Sequence, residues 1–315
     1  MNLRTLLDRV DTARREFLRK ILLGSGAAML GRNALAAQDA KVLTRPIPSS
    51  GEALPVVGVG TWQAFDIGGS AEQLGSRQAV LEILLRHGGS VIDSSPMYGS
   101  AESVVGELLE KMGAHDRAFL ATKVWTRGEG FGIDQMQDSL RKLRTDKIEL
   151  MQIHNLLDWQ THLKTLRKWK EQGTIRYLGI THYQASGYPD MMRIMRHEPL
   201  DFIQLNYSIL TREAEREILP LAADKGIAVL TNRPYDGGGL FSHVRGADLP
   251  GWARDIDCHS WGQFALKYIL SHPAVTCVIP GTGSPQHMED NMGAGLGRLP
   301  DPETRRRMVT LIEGL

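Results

Sequence analysis

The sequence predicts an α/β fold in which eight parallel strands, each followed by a helix, close into a barrel. Three observations lead there. A short apolar run, a polar or Gly-rich loop and an amphipathic helix recur eight times along the chain. Most repeats start about 25 to 35 residues apart, the length of one strand–helix unit. The runs are continuously apolar rather than alternating, as in strands covered on both faces. Eight such units close into a barrel more readily than they spread into an open sheet.

Residues 1–36 stand apart from this pattern. Arg14-Arg15-Glu16-Phe17-Leu18-Arg19-Lys20 precedes a small, apolar stretch over 21–30, and Ala34-Leu35-Ala36 offers a small-x-small cleavage site. An Arg pair followed by a residue and Phe-Leu is the pattern of a twin-arginine (Tat) signal peptide, with Ala13 where Ser or Thr usually stands. Arg32, just before the cleavage site, suits that route better than the general secretory one. The alternative is an amphipathic N-terminal helix left in place. The expectation is export of the folded protein by the twin-arginine machinery to the periplasm, with the cytoplasm as the alternative location. Residues 37–315 then form the barrel, with no transmembrane anchor after cleavage.

Beyond the leader, residues 44–55 read as two short strands around a Ser-Gly turn. The barrel runs are 56–60, 91–93, 119–123, 150–154, 177–181, 202–206, 228–232 and 276–280. Helical spacing fills the gaps between them. Leu81, Leu84 and Leu85 share a face, as do Val104, Val105, Leu108 and Leu109. The same spacing joins Leu140 to Leu143, Leu163 to Leu166 and Trp169, and Ile218 to Leu221 and Ala222. The last gap is longer and holds an inserted loop, 236–257.

Composition narrows the function classes. Of the 315 residues, 42% are hydrophobic and 23% charged, which describes an ordinary globular protein. No run approaches the roughly 18 apolar residues of a spanning helix. Residues 1–36 hold seven basic and three acidic residues, so the rest carries 30 and 33, a net of −3. That balance offers no basic footprint for nucleic acid or anionic lipid. The two cysteines, Cys258 and Cys277, fit no metal motif, and no metal is expected. Cys277 lies in an apolar run and reads as a core thiol, with a Cys258–Cys277 disulfide as the alternative in an oxidising compartment.

The strand ends carry the chemistry. Asp93 closes the second run, Lys123 the third and His154 the fourth, while Tyr98 sits in the loop after the second. Residues at the C-terminal ends of parallel barrel strands build the active site. A free phenol, with a pKa of about 10, is a poor acid near neutrality. A neighbouring Lys123 would lower that pKa, and Asp93 would hold the lysine charged and in place. Proton delivery by such a phenol is general acid catalysis, worth about 10²–10⁴-fold, with His154 orienting the substrate oxygen. No Ser sits in a Gly-x-Ser-x-Gly elbow, and no His/Glu metal spacing occurs.

These residues lie in motifs that resemble the aldo-keto reductase family over nearly all of 37–315. They are Gly58-Val59-Gly60-Thr61-Trp62, Ile92-Asp93-Ser94-Ser95-Pro96-Met97-Tyr98-Gly99, Thr122-Lys123 and Gln152-Ile153-His154-Asn155. Gly179-Ile180-Thr181-His182-Tyr183, Gln204-Leu205-Asn206-Tyr207 and Ile279-Pro280-Gly281-Thr282 follow. The resemblance implies a (β/α)8 TIM barrel whose bottom is closed by the N-terminal hairpin. It implies reduction of aldehyde and ketone carbonyls by hydride from NAD(P)H. In that reaction Tyr98 is the acid, Lys123 and Asp93 tune it, and His154 positions the carbonyl.

By the same resemblance Thr181, His182 and Gln204 hold the nicotinamide carboxamide, and Gly60, Thr61 and Trp62 line the first loop beside cofactor and substrate. The chain departs from the family at Asn232-Arg233-Pro234, where an aromatic residue commonly stacks on the nicotinamide; Arg233 would instead contact the pyrophosphate. Gly281 and His287 stand where NADP-preferring members often place Lys and Arg. Asp290 and Asn291 remain as adenine contacts, and Thr282 and Ser284 at a helix start would bind a phosphate. NADP(H) is the expected cofactor, with NAD(H) the alternative. The chain stops after a helix at 302–313, and the loop after His154 is short. The pocket is then left to Trp62, Met97, Trp125 and the 236–257 insertion, although Trp62 and Trp125 read equally well as rim packing. The competing function is a cofactor-binding sensor or assembly module with little turnover.

Overall fold

The computed structural model describes residues 41–315. The signal-peptide reading of 1–36 and the domain start at 37 lie outside the described residues. An antiparallel hairpin comes first, β1 (Thr44–Pro46) with β2 (Ala53–Pro55). The barrel strands are β3 (Val59–Gly60), β4 (Val91–Asp93), β5 (Phe119–Val124) and β6 (Ile148–His154), then β7 (Ile175–His182), β8 (Phe202–Asn206), β9 (Ala228–Asn232) and β10 (Cys277–Val278). Each pairs in parallel with the next. Parallel bridges Val57–Val278 and Gly60–Gly281 join the first strand to the last.

The helices between strands are α1 (Ala71–Arg86), α2 (Ala101–Met112), α3 (Glu129–Leu143), α4 (Trp159–Glu171), α5 (Tyr188–His197) and α6 (Ile218–Lys225). The insertion holds α7 (Gly239–His243), and α8 (Trp261–Leu270), α9 (Pro285–Gly293) and α10 (Pro302–Glu313) complete the chain. The insertion is thus not a plain loop. Its apolar Leu240, Val244, Ala253 and Ile256 are buried at helical spacing, through α7 and a 3₁₀ turn over Gly251–Ile256.

Strand periodicity divides the interior. Successive residues of a strand point to opposite faces, so every second residue looks down the barrel axis. The inward residues in the lower part are Val91, Phe119, Leu150, Tyr177, Phe202 and Ala228, which form a separate apolar cluster with Ile47 and Leu54 of the hairpin. Phe119, Tyr177 and Phe202 pack ring to ring at 5.5–6.1 Å. The Tyr177 hydroxyl bonds Ser50 Oγ at 2.7 Å and Glu52 at 2.6 Å, which bolts the hairpin across the bottom. Further up the same faces the inward residues turn polar: Asp93, Lys123, Gln152, Thr181 and Gln204, all buried. Leucines, valines and isoleucines of the outward faces make the larger core beneath the helices.

Both cysteines are buried free thiols, so the alternative of a disulfide is not realised. Cys277 points into the barrel cluster and Cys258 belongs to the outer one.

Candidate active site

Asp93 ends β4, and the chain turns at once. Tyr98 N–H donates to Ser95 O at 3.0 Å, and Ala101 N–H to Tyr98 O at 3.1 Å as α2 begins. Gly99 allows this turn: its φ is +59°, and a Cβ there would run into the Asp66 carboxylate. Asp66 Oδ1 accepts from Ser100 N and Ser100 Oγ, both at 3.0 Å, tying the first barrel loop to the Tyr98 loop.

Lys123 is fully buried. Its ammonium donates to Asp93 Oδ2 at 2.7 Å and Ser94 O at 2.7 Å, and stands 5.1 Å from the Tyr98 ring centroid. Burial alone would pull the lysine down, but the Asp93 carboxylate, with Tyr98 beside it, carries it above the ordinary value. Tyr98 behaves otherwise than the sequence suggests. Burial pushes the phenol above the usual tyrosine value; Lys123 pulls it back without overcoming burial, and Asp93 adds to the rise. Lys123 thus acts in the expected direction, but burial, which the sequence does not show, sets the net value above the ordinary one. At neutral pH the phenol carries its proton, the state a proton donor needs.

His154 closes β6 with its ring edge-on to Tyr98, centroids 5.9 Å apart at 85°. Burial, reinforced by the charge of Lys123 and by His182, pulls it down to about 3, so the imidazole is neutral. Nδ1 pairs with the buried Ser95 Oγ at 3.1 Å, which leaves Nε2 for a substrate oxygen. Ser95 does not figure among the sequence-derived site residues, nor does Gln152. Gln152 was legible, since two residues before His154 on one strand means the same inward face.

Toward the other half of the mouth lies an amide layer. Gln152 Nε2 and Gln204 Nε2 both donate to Asp93 Oδ1, at 3.2 and 2.8 Å. Gln204 Oε1 accepts from Thr181 Oγ1 at 3.4 Å and Asn232 Nδ2 at 3.2 Å. Asn232 Oδ1 and Asn155 Oδ1 are buried acceptors without partners. His182 is held apart from this layer: its Nδ1 accepts from Gln184 N at 3.2 Å, and its ring stacks on Tyr183 at 5.8 Å. Arg233 adopts a left-handed φ of +50° in the turn after β9.

At the start of α9, Ser284 caps the helix by accepting from His287 N, and Thr282 Oγ1 accepts from Ser284 N at 3.1 Å. Here Asp290 and Asn291, expected as adenine contacts, are already engaged by protein donors. Asp290 accepts from Ser260 Oγ at 2.6 Å and Gln263 Nε2 at 2.9 Å, and Asn291 Oδ1 from Tyr235 OH at 2.5 Å. The structure also brings in Arg77 of α1, which donates to Ala64 O at 2.6 Å and Gly283 O at 3.3 Å. Only the packing of α1 beside α9 reveals it, and no spacing in the sequence could.

This donor set fits a nicotinamide dinucleotide. The orphaned Asn232 acceptor and the Gln204–Thr181 pair suit an uncharged carboxamide, while hydroxyls and a helix start suit phosphate. The backbones of Gly60 and Gly281 meet so closely that a Cβ on Gly60 would stand 3.0 Å from Ile279 O.

Trp62, Met97 and Trp125 stand on the first three barrel loops, 49, 40 and 41% exposed, with the Trp125 ring 6.3 Å from His154. Phe131, at the start of α3 on the same side, is 72% exposed and was not among the expected residues. A groove of about 590 Å³ lies elsewhere, against the hairpin turn and the C-termini of α4, α5 and α6. Two of its cations are tied to the fold: Lys225 Nζ donates to Arg196 O at 3.4 Å and Lys170 Nζ to Asp201 at 2.6 Å. Cations at helix C-termini offset the helix dipoles, so that groove reads as stability and the mouth as chemistry.

The chain is similar to known proteins in sequence and fold. A model of the Aldo/keto reductase family matches residues 56–307. Methylglyoxal reductase YeaE of Escherichia coli (strain K12) is 28% identical over 248 residues, 76% of this chain and 84% of the relative. The NADH-specific methylglyoxal reductase of the same organism is 27% identical over 311 residues, 79% of this chain and 92% of the relative. An aldo/keto reductase from Klebsiella pneumoniae, solved in complex with NADP and acetate, is 25% identical with a TM-score of 0.70, covering 86% of this chain and 95% of that one.

Proposed function

Because the chain belongs to the aldo/keto reductase family, and is an oxidoreductase of the nicotinamide-dependent kind, we propose that it reduces aldehyde and ketone carbonyls to alcohols with Tyr98 as the proton donor. The observation that carries this reading is the buried Asp93–Lys123 pair set against Tyr98 and beside a neutral His154. A nicotinamide cofactor, when bound, supplies the hydride. NADP(H) is favoured, as the Klebsiella structure is an NADP complex, and NAD(H) is the alternative, as one relative is an NADH-specific reductase.

The chain's own residues do the rest. His154 Nε2 donates to the carbonyl oxygen and sets its direction. Tyr98 passes its proton to that oxygen as negative charge develops on it. The phenolate left behind is stabilised by Lys123, whose charge Asp93 maintains. Lysine thus acts chiefly on the product of the proton transfer, which agrees with a resting phenol that burial keeps protonated. Carboxamide binding by Gln204, Thr181 and Asn232, and phosphate binding by Arg233, Thr282 and Ser284, belong to the same proposal. So does contact between the substrate's apolar body and Trp62, Met97 and Trp125. The twin-arginine pattern at Arg14-Arg15 supports export of the folded protein to the periplasm.

The test is single-turnover loss of NAD(P)H fluorescence on mixing the loaded protein with an aromatic aldehyde. Tyr98→Phe is expected to slow it at least about 100-fold while leaving cofactor binding intact. Turnover by Tyr98→Phe as fast as the parent would remove Tyr98 from its role.

A further inference from the structure

The amide layer has a direction, and Asp93 sets it. A carboxylate only accepts hydrogen bonds, so both amides that touch Asp93 Oδ1 must face it with nitrogen. Gln204 is thereby turned with its oxygen away from Asp93. That oxygen meets two donors, the Thr181 hydroxyl and the Asn232 amide nitrogen. Asn232 is turned in the same sense, and its own Oδ1 is left as a buried acceptor with no partner. The chain Asp93–Gln204–Asn232 therefore runs from an ion pair on β4 and β5 to an unpaired acceptor at the end of β9, and reversing any amide in it would set oxygen against oxygen.

We infer that Asn232 reads the carboxamide N–H of the nicotinamide, and that the charge of Asp93 is what holds Asn232 in the accepting orientation. The inference rests on the nicotinamide reading above. Asp93 thereby acts twice, anchoring Lys123 and polarising the cofactor seat across the barrel. A buried polar atom without a partner is costly, and a ligand N–H removes that cost. An amide at this position selects by hydrogen bonding, where a stacked ring would recognise only a flat face. The ring carrying the hydride is then fixed by its substituent.

The test compares binding, by titration calorimetry, of NAD⁺ and NADP⁺ with that of their 3-acetylpyridine analogues, in which a methyl group replaces the carboxamide NH₂ and the carbonyl stays. The parent is expected to prefer the carboxamide forms by about 3- to 10-fold, the worth of one hydrogen bond to a buried acceptor. Asn232→Ala and Asn232→Leu should bind both forms alike. Asp93→Asn, which can offer Gln204 either an oxygen or a nitrogen, should also lose most of the preference although it lies far along the chain. A parent-like preference in both Asn232 variants overturns the contact, and an undiminished preference in Asp93→Asn overturns the polarisation. A parent that binds both forms equally sinks the inference alone, whereas a parent that binds no nicotinamide dinucleotide sinks the functional reading with it.

Discussion

Asp93 accepts from three side-chain nitrogens, Lys123 Nζ, Gln152 Nε2 and Gln204 Nε2, and gives the site both its charge balance and its geometry. His154 completes the set as a base emptied by burial. Its ordinary value is 6.5 and the fold lowers it to about 3, so the folded protein binds fewer protons than the unfolded chain between those pH values. Stability from this residue is present above about pH 6.5 and is lost as pH falls toward 3, by no more than about 5 kcal/mol. Denaturant unfolding between pH 7 and 4 should show His154→Gln losing less stability on acidification than the parent; equal slopes would contradict a neutral buried imidazole. At this scale the gathering of Asp93, Tyr98, Lys123 and His154 was legible, because each ends an apolar run or follows one. The proton affinity of Tyr98 was not, since burial of a loop residue depends on what α2 and the neighbouring loops place over it.

Among elements, the hairpin and the mouth divide the work. The β1–β2 hairpin packs against Val91, two residues before Asp93 on β4, and makes no hydrogen bond to Asp93, Tyr98, Lys123 or His154. Its bond to Tyr177 should therefore register as stability alone. Tyr177→Phe is expected to cost about 1 kcal/mol, a fall of about 2 °C in Tm for a domain of this size, with NAD(P)H affinity unchanged. Calorimetric melting and a fluorescence titration of the same variant check both halves. Strand positions were readable from apolar runs, and the observed β5, β6 and β7 extend them by one to three residues. The 236–257 insertion reads as a loop in sequence because its buried residues are few and punctuated by glycine. Arg77 escapes a sequence reading because its partners lie in the first and last barrel loops, brought together only by closure.

For the whole molecule, two nested cores do the folding and one rim does the chemistry. The barrel cluster and the helix-covered cluster together bury nearly every large apolar side chain among the described residues, and the exceptions gather mainly at the mouth. A protein that completes its cofactor seat only when the barrel closes suits an export route that carries folded cargo. Changing Arg14→Lys together with Arg15→Lys is expected to leave full-length, uncleaved protein in the cytoplasm while its carbonyl reduction in a lysate stays at the parent level. Cell fractionation followed by immunoblotting reads the outcome, and unaltered delivery to the periplasm would refute the twin-arginine reading.

The pairings on either side of the first and last strands, and the seam between them, are the shortest in the ring, two residue pairs each. β6 and β7 share a long ladder, whereas the chain around β3 meets β10 through isolated bridges, with Gly58 N–H on Val278 O and Gly60 N–H on Pro280 O. The ring closes at Gly60 and Gly281, between the first loop and the Thr282–Ser284 loop. A dinucleotide spanning those loops would bind the closed ring. A ligand that binds only the closed ring stabilises it by mass action, so a dinucleotide seated there is expected to raise Tm.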